Sequence, residues 1–243
     1  MLKYIKIFDN VFDWDSWYRD ISQDKSCDEY PFVALAKDNA NDHIMYSPAK
    51  TVINNGQSYV DLGLPSGTLW ASSDITSLRL WGEMTAPQKN VYIYKDGSGN
   101  MTKYNNSDGL INLELNDDIA HVTWGGDWMI PSVEDWEELQ EYTTYTNTGG
   151  SQSQKLFTYT STINGNSIEF RWCGQWYYSS YNYSAGNEYR WTSQRDGANE
   201  NNAMALNLTT NTFGSCSRKD YGFAVRPIIK PVRKDYTIPP ILL

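Results

Sequence analysis

Short stretches of alternating apolar and polar residues recur along the chain and predict β-strands. The stretches 157–163 and 167–172 flank Asn164-Gly165, a dipeptide typical of two-residue hairpin turns. A second hairpin is predicted over residues 91–104, with its turn at Asp96-Gly97-Ser98-Gly99. These patterns indicate antiparallel sheets that are connected by tight turns.

One segment has the spacing of an amphipathic helix. Val133, Trp136 and Leu139 recur on one helical face. Ser132 precedes them as a helix N-cap, and Asp135, three residues later, completes a capping box. The predicted fold class is therefore α+β, with twisted antiparallel sheets, one or two helices and long loops.

Three regions are predicted along the chain. Residues 1–54 form a small β-rich segment that has too few residues for a core of its own, so we expect it to serve in attachment and assembly. Residues 55–229 form the main domain, and residues 230–243 form an extended, proline-rich tail whose apolar end predicts docking. The strands predicted in the first region are Tyr4–Phe8, Tyr30–Ala36 and His43–Tyr46.

The charge balance argues against a nucleic-acid partner, and the lack of long apolar runs argues against membrane insertion. The chain has 20 basic and 29 acidic residues, a net charge of -9. Such a chain lacks the cations that displace counterions from phosphates, so we expect no nucleic-acid partner. It has no apolar run long enough to span a membrane, and polar residues interrupt its first segment, so we expect neither membrane insertion nor a secretory signal.

An ordered set of short motifs resembles one known family. The motifs are Tyr59–Ala71, Leu80–Glu83, Asp118–His121, Trp124–Pro131, Glu134–Leu139, Tyr189–Ser193 and Tyr221–Ile228. In this order they resemble the Fibrobacter succinogenes major paralogous domain. The resemblance implies a C-type-lectin-like fold, which is also similar to that of formylglycine-generating enzymes.

The motif residues have clear structural interpretations. We expect most of the motif tryptophans to lie in the core of a loop-rich domain. Arg226 is expected to be partly buried and paired with a carboxylate, for which Glu83 is the candidate; a solvated surface position is the alternative. The tryptophans concerned are Trp70, Trp81, Trp124, Trp128, Trp136 and Trp191.

Candidates for metal binding and catalysis are few. The sugar-binding calcium motifs of C-type lectins are missing, so we expect no cofactor and no metal. Asp117 and Asp118 are candidates for a chance calcium site, with solvated loop acids or a helix cap as the alternative. Cys173 and Cys216 are the one pair comparable to the cysteines of formylglycine-generating enzymes, but neither has a histidine nearby in sequence. We therefore expect no enzymatic activity.

The stretch from Trp172 to Thr212 is rich in Tyr, Ser, Asn and Arg. Antibody loops use these residue types, with rigid rings for contact area and adaptable polar groups for hydrogen bonds. The alternative is ordinary strands with outward polar residues. The residues predicted to contact a ligand are Tyr181, Tyr183, Tyr189, Arg190, Arg195, Asn199 and Asn201.

The leading functional hypothesis is a phage virion structural protein of the head or tail fibre. Residues 30–35 and 43–48 resemble N-terminal pieces of fibre proteins from gut phages, including crAss-like ones. Its expected partners are other virion proteins, through the N-terminal segment, and a host-surface glycan or protein. A homotrimer is expected, because trimers supply burial that a small segment lacks. The alternatives are a binding module on the bacterial cell surface and a structural decoration without a ligand.

Overall fold

A computed structural model describes residues 34–37, 43–46, 54–75, 78–88, 91–177, 179–184, 186–230 and 235–237. The chain divides into two compact units. The terminal unit is Met1–Lys50 with Val232–Leu243, and the central unit is Thr51–Pro231. The predicted strand Tyr4–Phe8 lies outside the described residues.

Short strands make up most of the regular structure. The α-helices of the described residues are α1 (Ile119–Trp124) and α2 (Val133–Glu141), and 3-10 turns lie at Leu115–Asp117 and Gln152–Gln154. The strands are β1 (Ala34–Lys37), β2 (His43–Tyr46), β3 (Tyr59–Asp61), β4 (Leu69–Ala71), β5 (Arg79–Leu80), β6 (Trp128–Met129), β7 (Thr143–Thr148), β8 (Leu156–Ser161), β9 (Ser167–Arg171), β10 (Gln175–Tyr177), β11 (Ser180–Asn182), β12 (Tyr189–Arg195), β13 (Asn202–Asn207), β14 (Thr212–Arg218), β15 (Gly222–Phe223), β16 (Ile228–Ile229) and β17 (Asp235–Thr237).

The terminal unit contains a sheet built from both ends of the chain. Its order is β1-β2-β17, and both pairings are antiparallel. Met45 of β2 lies opposite Leu35 on one side and Tyr236 on the other. The C-terminal segment that was predicted as an extended docking tail thus contributes a strand to the sheet formed by the N-terminal segment.

The central unit is built from antiparallel sheets with few helices, in agreement with the predicted α+β class. The sheets have the orders β3-β4-β16-β6, β11-β10-β15-β5, β12-β13-β14 and β7-β8-β9. Among the described residues, no helix has the length and apolar character needed to cross a membrane.

Local sequence signals correctly predicted a hairpin and a helix cap. β8 and β9 form the predicted hairpin, but the connection is residues 162–166 and is longer than the two-residue turn that Asn164-Gly165 predicts; Gly165 has a φ of 78°, whereas Asn164 does not have a positive φ. At the start of α2, the Ser132 hydroxyl accepts a hydrogen bond from the Asp135 amide at 3.3 Å, and the Asp135 carboxylate accepts one from the Ser132 amide at 2.8 Å. The predicted capping box is therefore confirmed.

The predicted hairpin over residues 91–104 is not a pair of regular strands. Among its described residues, Lys95 and Met101 form an isolated bridge with each other, and Val91 forms one with Gln88, outside the predicted hairpin. The Asp96 carboxylate accepts hydrogen bonds from the backbone amides of Ser98 and Asn100 at 2.8 and 2.9 Å. Side-chain bonds of this kind compete with a strand ladder and favour a compact loop.

Tryptophan forms much of the core, as expected from the motifs. Of the six motif tryptophans, only Trp124 is partly exposed. The core has two parts, one around Trp81, Trp128 and Trp191 and the other around Trp70 and Trp136. Burial of these large apolar rings supplies the main driving force for folding of a loop-rich unit.

Two buried arginines join β9 to the rest of the central unit. Arg226 donates to the carbonyl of Glu169 at 2.8 Å, and Arg190 donates to that of Arg171 at 3.0 Å. Both guanidinium groups also pair with the Asp74 carboxylate, at 2.7 and 2.8 Å. Burial disfavours an ionised Asp74, but these two charges outweigh it and hold the pKa of Asp74 below its ordinary value.

The predicted partner of Arg226 is therefore wrong. Arg226 is buried and pairs with Asp74, whereas the Glu83 carboxylate accepts a hydrogen bond from the Ile93 amide at 2.9 Å. The correct interaction spans 152 positions of sequence. No motif spacing indicates a contact of that length.

Candidate functional site

The candidate site is the hairpin of β10 and β11 with its flanking residues, 174–177 and 179–184, which we call the tyrosine hairpin. Its strands pair Trp176 with Tyr181 and Tyr177 with Ser180. Tyr177, Tyr181 and Tyr183 are 39%, 52% and 38% exposed. The sequence from Trp172 to Asn187 contains no charged residue, so the hairpin presents rings, hydroxyls and amides.

Hydrogen bonds with the preceding residues Trp172 and Cys173 hold the Tyr183 backbone and the Tyr181 side chain. The Tyr181 hydroxyl donates to the Cys173 carbonyl at 2.8 Å, and the Trp172 indole donates to the Tyr183 carbonyl at 2.8 Å. The ring centroids of Tyr181 and Tyr183 are 6.3 Å apart. Two predicted ligand contacts therefore lie together on one exposed, anchored surface.

Gly174 allows the hairpin to fold back on its own start. Its φ is 70°, which disfavours residues with a side chain. A Cβ atom at this position would lie 2.8 Å from the Asn182 carbonyl oxygen and 2.9 Å from the Cα of Tyr183. The close approach of the two backbone segments thus requires glycine.

A buried carboxylate lies beneath this turn. Glu188 is fully buried and accepts hydrogen bonds from the amides of Cys173 and Gly174 at 3.2 and 3.0 Å. The Cys173 thiol donates to the same carboxylate at 2.8 Å. Burial raises the pKa of Cys173 to about 12, so its sulfur is a protonated donor at neutral pH and not an activated nucleophile.

Two predicted ligand contacts are wrong, because their side chains lie inside the unit. Arg190 is fully buried and pairs with Glu188 and Asp74. Arg195 is 5% exposed, and its guanidinium donates to the Leu110 carbonyl at 2.9 Å. Both belong to β12, where they hold neighbouring segments in place.

The remaining predicted contacts lie in different settings. Tyr189 is half-buried, and its ring stacks on that of Phe223 with centroids 4.8 Å apart. Asn199 is exposed in the loop between β12 and β13, and its side chain accepts a hydrogen bond from the Asn201 amide at 3.0 Å. This bond shapes the loop, so the structure gives these asparagines a local role apart from the tyrosine hairpin.

A buried lysine escaped the sequence prediction. Lys219 is fully buried, and its ammonium donates to the carbonyls of Tyr104 and Glu200 at 2.9 and 2.6 Å. It lies 4.9 Å from the ring centroid of Trp81. Burial lowers the pKa of Lys219 to about 8, and the positive charge of Arg195 adds to the shift.

The calcium candidates have other functions. Asp118 caps α1, since its carboxylate accepts from the amides of Ala120 and His121 at 2.8 and 3.1 Å. Asp117 pairs with the Lys103 ammonium and accepts from the Tyr104 hydroxyl. No cluster of three metal-ligating side chains occurs within the described parts of the chain. The helix cap that was the alternative for Asp118 is correct.

Comparison of the chain with protein-family models, curated proteins and solved structures found no match. The resemblance to a lectin-like family therefore stays a prediction.

Proposed function

We propose that the central unit is a non-enzymatic binding domain and that the tyrosine hairpin is its ligand-contact surface. The observation that carries the proposal is the exposure of Tyr177, Tyr181 and Tyr183 on one anchored hairpin. Rigid tyrosines supply contact area at a low cost in conformational entropy, which is why they are frequent in antibody binding sites. The buried tryptophans, in contrast, contribute to the core.

The chemistry of this surface favours an uncharged, hydroxyl-rich ligand. No charged residue occurs between Arg171 and Glu188, and the chain as a whole carries a net charge of -9. Tyrosine rings stack on the apolar faces of sugars, while serine and asparagine side chains can bond to sugar hydroxyls. A host-surface glycan fits this combination better than an anionic partner, which the net charge would repel.

In the biological setting proposed here, the chain is a phage virion protein with a lectin-like central unit. The terminal unit would attach it to other virion proteins, as a homotrimer, and the tyrosine hairpin would face the host. What supports this setting is the resemblance of the motifs and of residues 30–48 to the proteins named above. A binding module on a bacterial cell surface would use the same hairpin.

The test compares Tyr181→Ala and Tyr183→Ala with Tyr59→Ala, a control at 40% exposure on β3. The full chain, labelled with a fluorophore, is titrated onto cells of gut Bacteroidales and onto an array of neutral and anionic bacterial polysaccharides. Loss of a ring that anchors the ligand should cost about 2 kcal/mol or more, roughly 30-fold in Kd.

Thermal unfolding of the same three variants shows whether a change in binding reflects a change in folding. The proposal expects binding to fall for the two hairpin variants alone, with melting temperatures near that of the wild type. Reduced melting temperatures with unchanged binding per folded molecule would refute the assignment. So would binding that the Tyr59→Ala control weakens equally.

A further inference from the structure

The carboxylate of Glu188 contacts one short turn through several donors. The turn is Cys173-Gly174, and the donors are its two backbone amides and the Cys173 thiol. An ionised carboxylate makes shorter and stronger hydrogen bonds than a neutral acceptor. Glu188 therefore holds the turn at two backbone amides and one thiol. These three contacts restrict the orientation of the turn as well as its position.

A neighbouring charge makes a fully buried Glu188 tolerable. Removing an isolated carboxylate from water is costly unless it is paired and hydrogen-bonded. The Arg190 guanidinium is itself fully buried, donates to Glu188 and also pairs with Asp74. The ion pair fixes the carboxylate inside the unit, with its remaining acceptor capacity directed at the turn.

The turn transmits this position to the exposed tyrosine. The Cys173 carbonyl accepts the hydroxyl of Tyr181 at 2.8 Å, so the same residue is held by Glu188 through its amide and thiol and holds Tyr181 through its carbonyl. The ideal Cβ position of Gly174 lies 3.2 Å from the Tyr181 hydroxyl. A displaced turn would therefore displace the phenol ring.

We propose that Glu188 is a positioning residue that sets the orientation of Tyr181 through the Cys173-Gly174 turn. The inference rests on the proposed function, because the ring that it positions is one of the proposed ligand contacts. Glu188 itself is buried and touches no ligand. Its effect is to keep the surface formed before the ligand arrives, which reduces the ordering cost of binding.

The first measurement needs no variant. Amide hydrogen exchange of the wild-type chain should show the amides of Cys173 and Gly174 exchanging at least about 100-fold more slowly than that of exposed Gly97. Exchange as fast as at Gly97 would overturn the inference, since Glu188 would then not hold the turn. This result decides the matter even if a Glu188 variant does not fold.

The second measurement follows the ring of Tyr181. The chain is labelled with 3-fluorotyrosine, and its ¹⁹F resonance for Tyr181 is assigned by its loss in Tyr181→Phe. Glu188→Gln should shift or broaden this resonance, while Glu134→Gln, a helix carboxylate that accepts hydrogen bonds from Gln194, should leave it unchanged. A folded Glu188→Gln chain with an unchanged Tyr181 resonance would overturn the inference.

Binding then separates this inference from the proposed function. On the polysaccharide or cells that wild type binds, Glu188→Gln should bind about tenfold more weakly, and Tyr181→Phe should be weakened in the same direction, because its ring loses the bond to Cys173. If Glu188→Gln binds as wild type does, the positioning role is wrong. If wild type binds no probe, the proposed function fails, and hydrogen exchange and the Tyr181 resonance still decide the role of Glu188.

Discussion

The tryptophans of the core and the tyrosines of the hairpin use the same kind of side chain for opposite purposes. Trp81 and Trp191 are buried, and their indoles donate to the carbonyls of Thr192 and Arg79, both at 2.8 Å. Tyr181 is half exposed, but its hydroxyl is bonded just as directly to a backbone carbonyl. A ring that is anchored by its polar atom can therefore either pack in the core or be exposed at the surface. Its solvent exposure distinguishes the two cases.

The comparison also shows why exposure of a ring does not imply mobility. An unanchored surface tyrosine samples several rotamers, and a ligand must then pay to order it. Tyr181 is already held at its hydroxyl, and the backbone of Tyr183 is held by the Trp172 indole. The hairpin thus combines the solvent exposure of a binding surface with the fixed geometry of a core.

The largest expected effect comes from removing a core ring. Trp136 is fully buried on α2, with its ring centroid 4.6 Å from that of Trp70. Trp136→Ala should lower the free energy of unfolding by about 3–5 kcal/mol, because a large cavity remains. Urea unfolding followed by circular dichroism measures it, with the exposed neighbour Glu137→Ala as the control. A loss of unfolding free energy below about 1 kcal/mol would contradict the role of the core tryptophans in stability.

A smaller effect on stability, which depends on pH, is expected from Lys219, whose ammonium lies over the ring of Trp81. The pKa of Lys219, above the Trp81 ring, is about 8 in the folded chain and about 10.4 in an unfolded one. Between these values the unfolded chain binds more protons, so stability should rise with pH, by up to about 1.4 kcal/mol per pH unit. Below pH 8 both states carry the charge and this contribution is constant.

Urea unfolding between pH 7 and pH 10 tests the effect as a difference between variants. Lys219→Met should lack the rise that the wild type shows, whereas Lys230→Met should keep it, since the Lys230 side chain is 44% exposed and pairs with Asp135. Parallel curves for wild type and Lys219→Met would contradict the assigned pKa. Other groups titrate in this range too, and the comparison of the two lysine variants cancels them.

The smallest effect is expected for Tyr189, which shares features with both the core tryptophans and the hairpin tyrosines. Tyr189 belongs to the tyrosine-rich stretch but stacks on the buried ring of Phe223. Tyr189→Ala should therefore lower stability by about 1–2 kcal/mol and leave binding per folded molecule unchanged. Thermal unfolding and the cell-binding assay check both parts. Binding that falls without a change in melting temperature would place Tyr189 with the ligand contacts.

The features that the sequence predicted correctly are local. The hairpin around Asn164-Gly165 and the capping box of Ser132 and Asp135 each depend on residues within a few positions; the capping box formed as predicted, and the hairpin formed with a longer connection than predicted. The loop around Asp96 has equally local signals, but they are compatible with two structures. There the carboxylate made hydrogen bonds that replaced the predicted strands.

The errors at the candidate site come from contacts between distant parts of the chain. Composition around Arg190 and Arg195 resembles a polar surface, and sequence gives no sign that Asp74 lies opposite Arg190 or that Leu110 accepts from Arg195. Glu188 and Lys219 were missed because single charged residues usually face solvent. The exposed Tyr181 and Tyr183 were predicted, since tyrosines beside serine and asparagine lack a buried-strand pattern.

The two guanidinium groups that donate to β9 also bear on aggregation. The outer edge of a sheet is a template on which a foreign strand can grow, through carbonyls that have no partner. On β9, a newcomer would have to displace Arg226 from the Glu169 carbonyl and Arg190 from the Arg171 carbonyl, leaving two charges inside the protein without those acceptors. The two arginines thus occupy edge carbonyls that a foreign strand would need, and we expect a substitution that removes Arg226 to increase self-association, measurable by light scattering, as well as to lower stability.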